Sequence, residues 1–396
     1  MDDKPVPVDA ARAAASAQAT AAASGAFGAD MYRLLTEDAT DTVFSPTSVA
    51  SALLMAWFGA RGQTAAELAR ALHLDGSPDA AVGALRSLSD LVRDVTAGGS
   101  VTLRAPNTVW VQSGLPVRPE FTARLRGAAA AALADADFAA APDAARTEIN
   151  RVIAEQTEGK ITGLLRPGAV SSLTRLVLAN AVYLKAPWAQ PFRETSTGDA
   201  PFYPDGPDRP SLTVRMMRGA ATRGYVRGDG YQAVLLPYRD SKLAMAVVLP
   251  DGPLTALRPE IGAGGLAGLL TGAARHQVTL SMPRFRLEAE FDLIPVLGRL
   301  GVSQAFGATA DFSGITESQP LRIGAVAHKA YIDVDEQGTE AAAAPAVVML
   351  ASAIMRPPPP VTMVVDRPFL FAIIDTATGL PLFLGQVSHP RAPARS

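Results

Sequence analysis

The chain has 396 residues, of which 48% are hydrophobic and 19% are charged, so it can bury a sizeable core and is not a disordered polymer. Lys and Arg total 36 against 38 Asp and Glu, and the resulting net charge of -2 gives no overall field toward nucleic acid or anionic lipid. The absence of cysteine excludes disulfides, thiolate nucleophiles and thiolate metal sites.

The N-terminal part of the chain carries patterns that are typical of helices. Residues 1–24 are rich in alanine and poor in large apolar side chains, which indicates a flexible tail. Ser45 is a favourable N-cap in front of Pro46, and Thr64 with Glu67 forms a capping box, so a helix is expected to begin at each site. The predicted helices cover 26–35, 49–58, 64–74, 80–95, 119–134 and 144–157.

The second half of the chain is rich in strand-forming residues, and several stretches alternate with period two. The predicted strands cover 101–112, 176–184, 231–238, 243–249, 277–293, 329–334, 361–374 and 382–387. Helices that come before strands, without regular alternation, predict an α+β fold with mainly antiparallel sheets. No long linker and no internal repeat divides the chain, which predicts a single domain.

Sequence motifs give little support to catalysis or to metal binding. His73, His276, His328 and His389 are far apart, and none is paired with a carboxylate at zinc-ligand spacing, so no metal site is expected. The Gly-x-Gly-x-x-Ala sequence at 262–267 lacks the preceding strand of a dinucleotide site. Because no nucleophile elbow or Walker loop is present either, we expect no cofactor and no enzyme.

Membrane and export signals are also missing from the sequence pattern. The longest apolar run, at 341–355, contains Pro345 and is about five residues short of the roughly 20 needed to span a bilayer. The N-terminus has neither a basic start nor a Leu-, Val- or Ile-rich core, so no signal peptide is expected. The sequence alone therefore predicts a cytoplasmic protein without a membrane partner.

The most unusual segment is 335–360, which combines a charged turn, a run of small residues and four prolines. Its composition leaves two interpretations open. It is either an exposed Ala- and Pro-rich linker, or a strand whose small side chains let it slip between two others without clashes.

The sequence from Glu336 to Ala344, EQGTEAAAA, resembles the reactive-loop hinge of the serpins. Further motifs resemble the same family in the same order, and together they extend from about residue 25 to 390. They are Phe44-Ser45-Pro46-x-Ser48, NTVWV at 107–111, Thr157-x-Gly159-Lys160-Ile161, LANAVYLK at 178–185 with Trp188, MPRF at 282–285, VAHKA at 326–330, DRPFLF at 366–371 and PLFLGQV at 381–387.

The resemblance implies a serpin-like α+β fold. About eight or nine helices would pack on three mainly antiparallel sheets, with an exposed reactive loop at about 336–360. The single domain would cover 25–390, between the tail 1–24 and a C-terminal tail at 391–396. The resemblance also implies a monomer, and an extracellular location is the commoner one in this family.

The resemblance implies a suicide inhibitor of serine proteases, which inserts its cleaved loop into the central sheet. Counted from Gly338 as in the family, the bond that the protease cuts lies between Ser352 and Ala353. A small residue there suits elastase-like or subtilisin-like proteases, whereas Leu350 and Arg356 nearby would suit chymotrypsin-like or trypsin-like ones. The expected partner is therefore a serine protease.

The resemblance also assigns the hinge, which is expected to lie outside the sheet at rest. Alternation with period two would turn Thr339, Ala341 and Ala343 toward the core on insertion. Pro345 stands where the family usually has Thr. The hinge residues are Glu336, Gly338, Thr339, Glu340, Ala341, Ala342, Ala343, Ala344 and Pro345.

Two further groups are carried over from the family by position. Ser45, Ser48, Asn180 and His328, here called the opening cluster, match the polar residues beneath the central sheet where its strands part. Trp188 matches the point where the loop enters, and Arg284 matches the partner of Glu336 below the hinge. Without the resemblance these residues are a satisfied core network, a core tryptophan and a surface charge.

A non-inhibitory serpin-fold protein with a binding or chaperone-like role is the alternative. A bulky or charged residue at position 339 would have favoured it, and the sequence has threonine there. A hydrolase that uses one of the chain's own serines is a third reading, and it predicts turnover instead of consumption of the protein.

Overall fold

The computed structural model describes residues 8–37, 41–75, 78–128, 132–340 and 360–391. Within these ranges eight α-helices lie against two hydrogen-bonded sheets, which is the α+β arrangement that the sequence predicts. The helices are α1 (Val8–Leu35), α2 (Pro46–Gly59), α3 (Gly62–Ala71), α4 (Pro78–Thr96), α5 (Pro119–Gly127), α6 (Pro142–Gln156), α7 (Arg258–Leu269) and α8 (Ile294–Arg299).

The strands form one sheet of nine and one of seven, the latter here called the central sheet. The strands are β1 (Thr42–Phe44), β2 (Thr102–Arg104), β3 (Asn107–Gln112), β4 (Ala132–Ala136), β5 (Leu176–Pro187), β6 (Gly198–Phe202), β7 (Leu212–Gly228), β8 (Tyr231–Pro237), β9 (Leu243–Pro250), β10 (Ala274–Pro283), β11 (Phe285–Asp292), β12 (Ala325–Val334), β13 (Gly338–Thr339), β14 (Val361–Val364), β15 (Phe369–Asp375) and β16 (Pro381–Val387). The central sheet has the order β11-β12-β13-β5-β3-β4, with β2 on β5.

Strand β7 connects two sheets that the family resemblance implied as separate. It pairs with β6 at its N-terminal end, with β10 along its middle and with β8 at its C-terminal end. Because this one strand belongs to both ladders, the two smaller sheets form one continuous sheet of nine strands, in the order β1-β16-β15-β9-β8-β7-β10-β14 with β6 on β7.

Two predicted helix boundaries are wrong. Helix α1 begins at Val8 and not near residue 26, because alanine has the highest helix propensity and Ala21 and Ala23 are buried in the core. The predicted helix 119–134 ends at Gly127. Residues Ala132–Ala136 form β4 instead of the end of this helix, because they pair in parallel with β3.

Three predicted strands are each divided into two. The breaks lie at Pro106, Arg284 and Pro368. Proline has no N–H to donate to a ladder, which explains the first and third breaks. At the second, the Arg284 N–H donates to the Arg215 carbonyl on β7, and the chain passes from the nine-stranded sheet into the central one.

The central sheet is covered on both faces. Helix α2, all of whose residues are buried, lies beneath β3 and β5. Helix α6 packs on the opposite face, here called the α6 face. The chain after it, residues 157–175, forms a crossing segment that is tied by ion pairs from Glu158 to Arg104 on β2 and from Arg166 to Glu290 on β11.

Membrane insertion of a helix finds no support in the fold. None of the helices in the described ranges has both the length and the apolar character that crossing a bilayer requires.

Candidate functional site

Two residues of the hinge, Gly338 and Thr339, are already paired with strands of the central sheet. Thr339 lies opposite Val334 on β12 and Ala186 on β5, and Gly338 lies opposite Pro187, all in antiparallel register. Thr339 has no exposed surface. The expectation that the hinge lies outside the sheet at rest is therefore wrong for Gly338 and Thr339.

A tight turn carries the chain from β12 into β13. The Asp335 N–H donates to the Gly338 carbonyl at 3.0 Å, and Asp335 Oδ1 accepts from the N–H groups of Gln337 and Gly338. A Cβ atom on Gly338 would lie 2.2 Å from the Ala186 carbonyl oxygen and 2.7 Å from a backbone atom of Pro187. Only glycine therefore lets the hinge approach β5 this closely.

Trp188 lies against this turn and ties it to the nine-stranded sheet. Its indole N–H donates to the Asp335 carbonyl at 3.0 Å, and its backbone N–H donates to the Gln337 carbonyl at 2.8 Å. The indole stacks on the ring of Tyr238, with 4.6 Å between centroids. The Tyr238 hydroxyl in turn lies 2.6 Å from Thr339 Oγ1. Thr339 is therefore bonded to Tyr238 through its side chain, in addition to its backbone pairing with β12 and β5.

The base of the hinge is fixed by a nearly buried ion pair. Glu336, whose side chain is 3% exposed, accepts two hydrogen bonds from the Arg284 guanidinium at 2.7 and 2.8 Å. The Thr197 hydroxyl donates to the same carboxylate, and the Phe192 N–H donates to the Glu336 carbonyl. A buried carboxylate is stable only when it is paired in this way, so the four contacts fix the start of the hinge.

Below β13, strands β5 and β12 pair directly with each other in a parallel ladder, here called the seam. It joins Val177–Tyr183 to Ala325–Tyr331. The uppermost pair is Tyr183 with Tyr331, whose rings lie 6.2 Å apart between centroids on the α6 face. Above this pair the strands diverge, and β13 satisfies backbone groups that would otherwise have no partner.

The structure brings the four residues of the opening cluster together at the middle of the seam. His328 and Asn180 are register partners on β12 and β5, and His328 Nδ1 donates to Asn180 Oδ1 across the seam. His328 Nε2 accepts the Ser45 N–H at 3.0 Å, and Asn180 Nδ2 donates to Ser48 Oγ at 2.6 Å. Asn107 joins them as a further acceptor of Asn180, which the sequence analysis did not foresee.

The electrostatic state of the cluster follows from burial. His328 is fully buried, and burial lowers its pKa from 6.5 to about 3. The imidazole is therefore neutral near pH 7, with its proton on Nδ1 because Nε2 accepts from Ser45. The seam is held closed at this level by neutral hydrogen bonds, which can part without leaving a charge buried and unpaired.

Several residues of the site escaped the sequence analysis. Tyr238 was predicted only as the end of a strand, Thr197 was not singled out, and Lys160 appeared only as part of a motif. Their contacts with the hinge join parts of the chain that are far apart in sequence, so no local sequence pattern predicts these contacts. The predicted residues Ala341, Ala342, Ala343, Ala344, Pro345, Ser352 and Ala353 lie outside the described residues.

In the part of the chain that the structure describes, no group of three or more His, Asp or Glu side chains could hold a metal ion.

Comparison with known proteins identifies the family. The family model for "Serpin (serine protease inhibitor)" matches residues 22–390. An uncharacterized serpin-like protein of Thermococcus kodakarensis is 37% identical over 371 residues, which cover 93% of this chain and 85% of the relative. The leukocyte elastase inhibitor of Sus scrofa is 36% identical over 383 residues, covering 93% and 99% of the two chains.

A solved structure gives the same result for the fold. Serpin48 of the insect Tenebrio molitor, described as a highly specific serpin, superimposes with a TM-score of 0.83 at 30% sequence identity. The match covers 94% of this chain and 99% of Serpin48, so the two proteins share one fold over that length.

Proposed function

The chain belongs to the serpin family of serine protease inhibitors, and we propose that it acts as a suicide substrate. The serine hydroxyl of the target protease attacks the carbonyl carbon of Ser352, the peptide bond to Ala353 breaks, and the amine of Ala353 leaves with a proton. The freed hinge then enters the central sheet. Insertion displaces the attached protease before water can hydrolyse the ester at Ser352.

The pairing of Gly338 and Thr339 with the central sheet is the observation that supports this proposal best. Continued from Thr339 in the same antiparallel register, each further residue of the loop would meet the preceding residue of both β12 and β5. Residue 342 would then lie between Tyr331 and Tyr183, and residue 348 between Ala325 and Val177, where the seam ends. The two strands thus offer one common register for the whole length of the insertion.

The side chains of the loop fit this register. Ala341 and Ala343 would face the core beside Val182, Leu184, Ala330 and Ile332, where space exists only for small groups. Ala342 would separate the rings of the tyrosine pair on the α6 face. An alanine run at these positions therefore enters the seam without displacing the core.

The free energy of loop insertion is also expected to be favourable. Insertion replaces one parallel ladder by two antiparallel ladders, and antiparallel pairing is slightly the more stable per residue. At about 1 kcal/mol for each net hydrogen bond, the gain is on the order of 5–10 kcal/mol before apolar burial. A gain of this size makes trapping effectively irreversible.

We assign the target to serine proteases of the elastase-like, subtilisin-like or chymotrypsin-like kind, on the basis of Ser352 and Leu350. The alternative of a non-inhibitory binding protein is favoured by one feature, Pro345. In the common register this proline would lie between His328 and Asn180, in a central strand where a missing N–H is costly.

A panel of purified serine proteases, mixed with the protein and run on a denaturing gel, tests the proposal. A covalent complex with at least one protease is expected, with consumption of the inhibitor and new chain ends at Ser352 and Ala353 by mass spectrometry. Cleavage without any complex across the panel would favour the non-inhibitory alternative, and turnover of a substrate by the protein alone would favour a hydrolase.

A further inference from the structure

Glu340 turns the chain out of the central sheet immediately after β13. Its N–H still donates to the Asp333 carbonyl on β12 at 2.9 Å, but pairing with β5 ends at Thr339. Its φ angle is 47°, a left-handed conformation that residues with a Cβ atom seldom adopt. Contacts of the side chain must therefore help to hold Glu340 at this position.

The surroundings of the Glu340 carboxylate are acidic. Its side chain is 18% exposed and lies on the α6 face, where Tyr331 and Asp333 lie at the top of β12. Burial and the neighbouring carboxylates of Asp335 and Glu340 raise the pKa of Asp333, against the opposing effect of Arg286. Docking of the hinge thus brings Glu340 against another carboxylate.

Lys160 supplies a compensating positive charge, and the fold holds it firmly in place. Its ammonium pairs with the Glu340 carboxylate from the crossing segment. Glu158 and Gly159, with φ angles of 55° and 76°, form the left-handed turn that ends α6 just before it. The segment beyond is fixed where the Lys329 ammonium donates to the Thr162 carbonyl at 2.8 Å.

We propose that Lys160 is a positioning residue for loop insertion, which holds the hinge docked through its ion pair with Glu340. Without the ammonium, Glu340 would face Asp333 without the cation that pairs with its own carboxylate, and the hinge would leave the sheet more often. Insertion would then start from a free hinge instead of from two residues already in register. The inference rests on the proposed function, but docking of the hinge is measurable without a protease.

Because the chain has no cysteine, Thr339→Cys introduces a single thiol at a position that is fully buried when the hinge is docked. The rate at which a disulfide reagent labels this thiol then reports the fraction of undocked hinge. In this background, Lys160→Met is expected to speed labelling by about threefold to tenfold, the effect of losing one partly buried ion pair. Adding Glu340→Gln to Lys160→Met is expected to return the rate close to that of the parent.

The matched control is Arg151→Met, which removes a cation that pairs with Glu148 and Glu155 on the exposed side of α6. Equal labelling rates in Lys160→Met and Arg151→Met would overturn the inference, and so would a fast rate that Glu340→Gln does not reverse. If cleaved protein gains heat stability while these rates stay unchanged, only the role of Lys160 is wrong. If cleavage adds no heat stability, the proposed function is wrong whatever the labelling shows.

Discussion

The hydroxyl groups of Tyr238 and Thr339 lie 2.6 Å apart in the buried space between the two sheets. Burial raises the pKa of Tyr238 far above its ordinary value of 10, so this hydroxyl is neutral and able to donate. Through it, the first core-facing residue of the hinge is bonded to the nine-stranded sheet before any cleavage occurs.

Tyr238→Phe should loosen the docked hinge. The substitution leaves the buried Thr339 hydroxyl without its partner, at a cost of about 1–2 kcal/mol. We expect a lower midpoint of thermal unfolding for the intact protein. Tyr225→Phe is the control, because that hydroxyl bonds to Gln232 at a less buried position, and an equal shift in both variants would contradict the role given to Tyr238.

Thr339→Arg should convert the protein from an inhibitor into a substrate. The guanidinium would have to be buried without a partner at the first core-facing position of the inserting strand. Since Thr339 is already buried at rest, the intact protein should also lose stability, in contrast to an expectation based on a free hinge. Gel assays should show cleavage without complex, while Thr339→Ser, which keeps the hydroxyl, should still trap protease.

Pro345→Thr should make trapping more efficient. At its place in the register, between Asn180 and His328, threonine restores a backbone N–H to the ladder, worth about 1 kcal/mol, and adds a hydroxyl beside the parted pair. Faster insertion leaves the acyl-enzyme less time to hydrolyse. Titration should therefore give fewer inhibitor molecules consumed per protease trapped, and an unaltered ratio would mean that the proline carries no kinetic penalty.

His328 should make stability depend on pH. Its pKa is about 3 in the folded protein and near 6.5 when unfolded, so the unfolded state binds the proton more tightly. The stability that this residue contributes is fully present above pH 6.5 and falls by about 1.4 kcal/mol per pH unit below it. Urea unfolding between pH 7 and 5 should show this slope in the parent and in His276→Gln, and His328→Gln should lack it. A slope that persists in His328→Gln would assign it to other groups.

The sequence is informative wherever a local pattern specifies the structure. Alternation places Thr339 on the core face, and the capping pattern at Ser45 begins α2, where the Ser48 N–H donates to the Ser45 hydroxyl. The resemblance to the family also led to Arg284 and Glu336, which the structure joins in a nearly buried ion pair.

Pairings between distant parts of the chain could not be predicted in this way. Thr339 and Tyr238 are 101 positions apart, and no periodicity links them. Strand β4 follows a helix in an alanine-rich stretch that favours helix, and only its parallel pairing with β3 makes it a strand. The docking of β13 depends on the divergence of β5 and β12 above the tyrosine pair, which is a property of the assembled sheet.

The thermal unfolding midpoint before and after cleavage of the reactive loop tests the central claim most directly, because only an inserted strand adds to the central sheet. Cleavage at Ser352 should raise the midpoint of the parent protein by roughly 5–15 °C, the shift that a gain on the order of 5–10 kcal/mol gives in a chain of 396 residues. Cleaved Thr339→Arg should show a much smaller increase. An unchanged or lower midpoint in the cleaved parent would contradict insertion of the loop between β5 and β12.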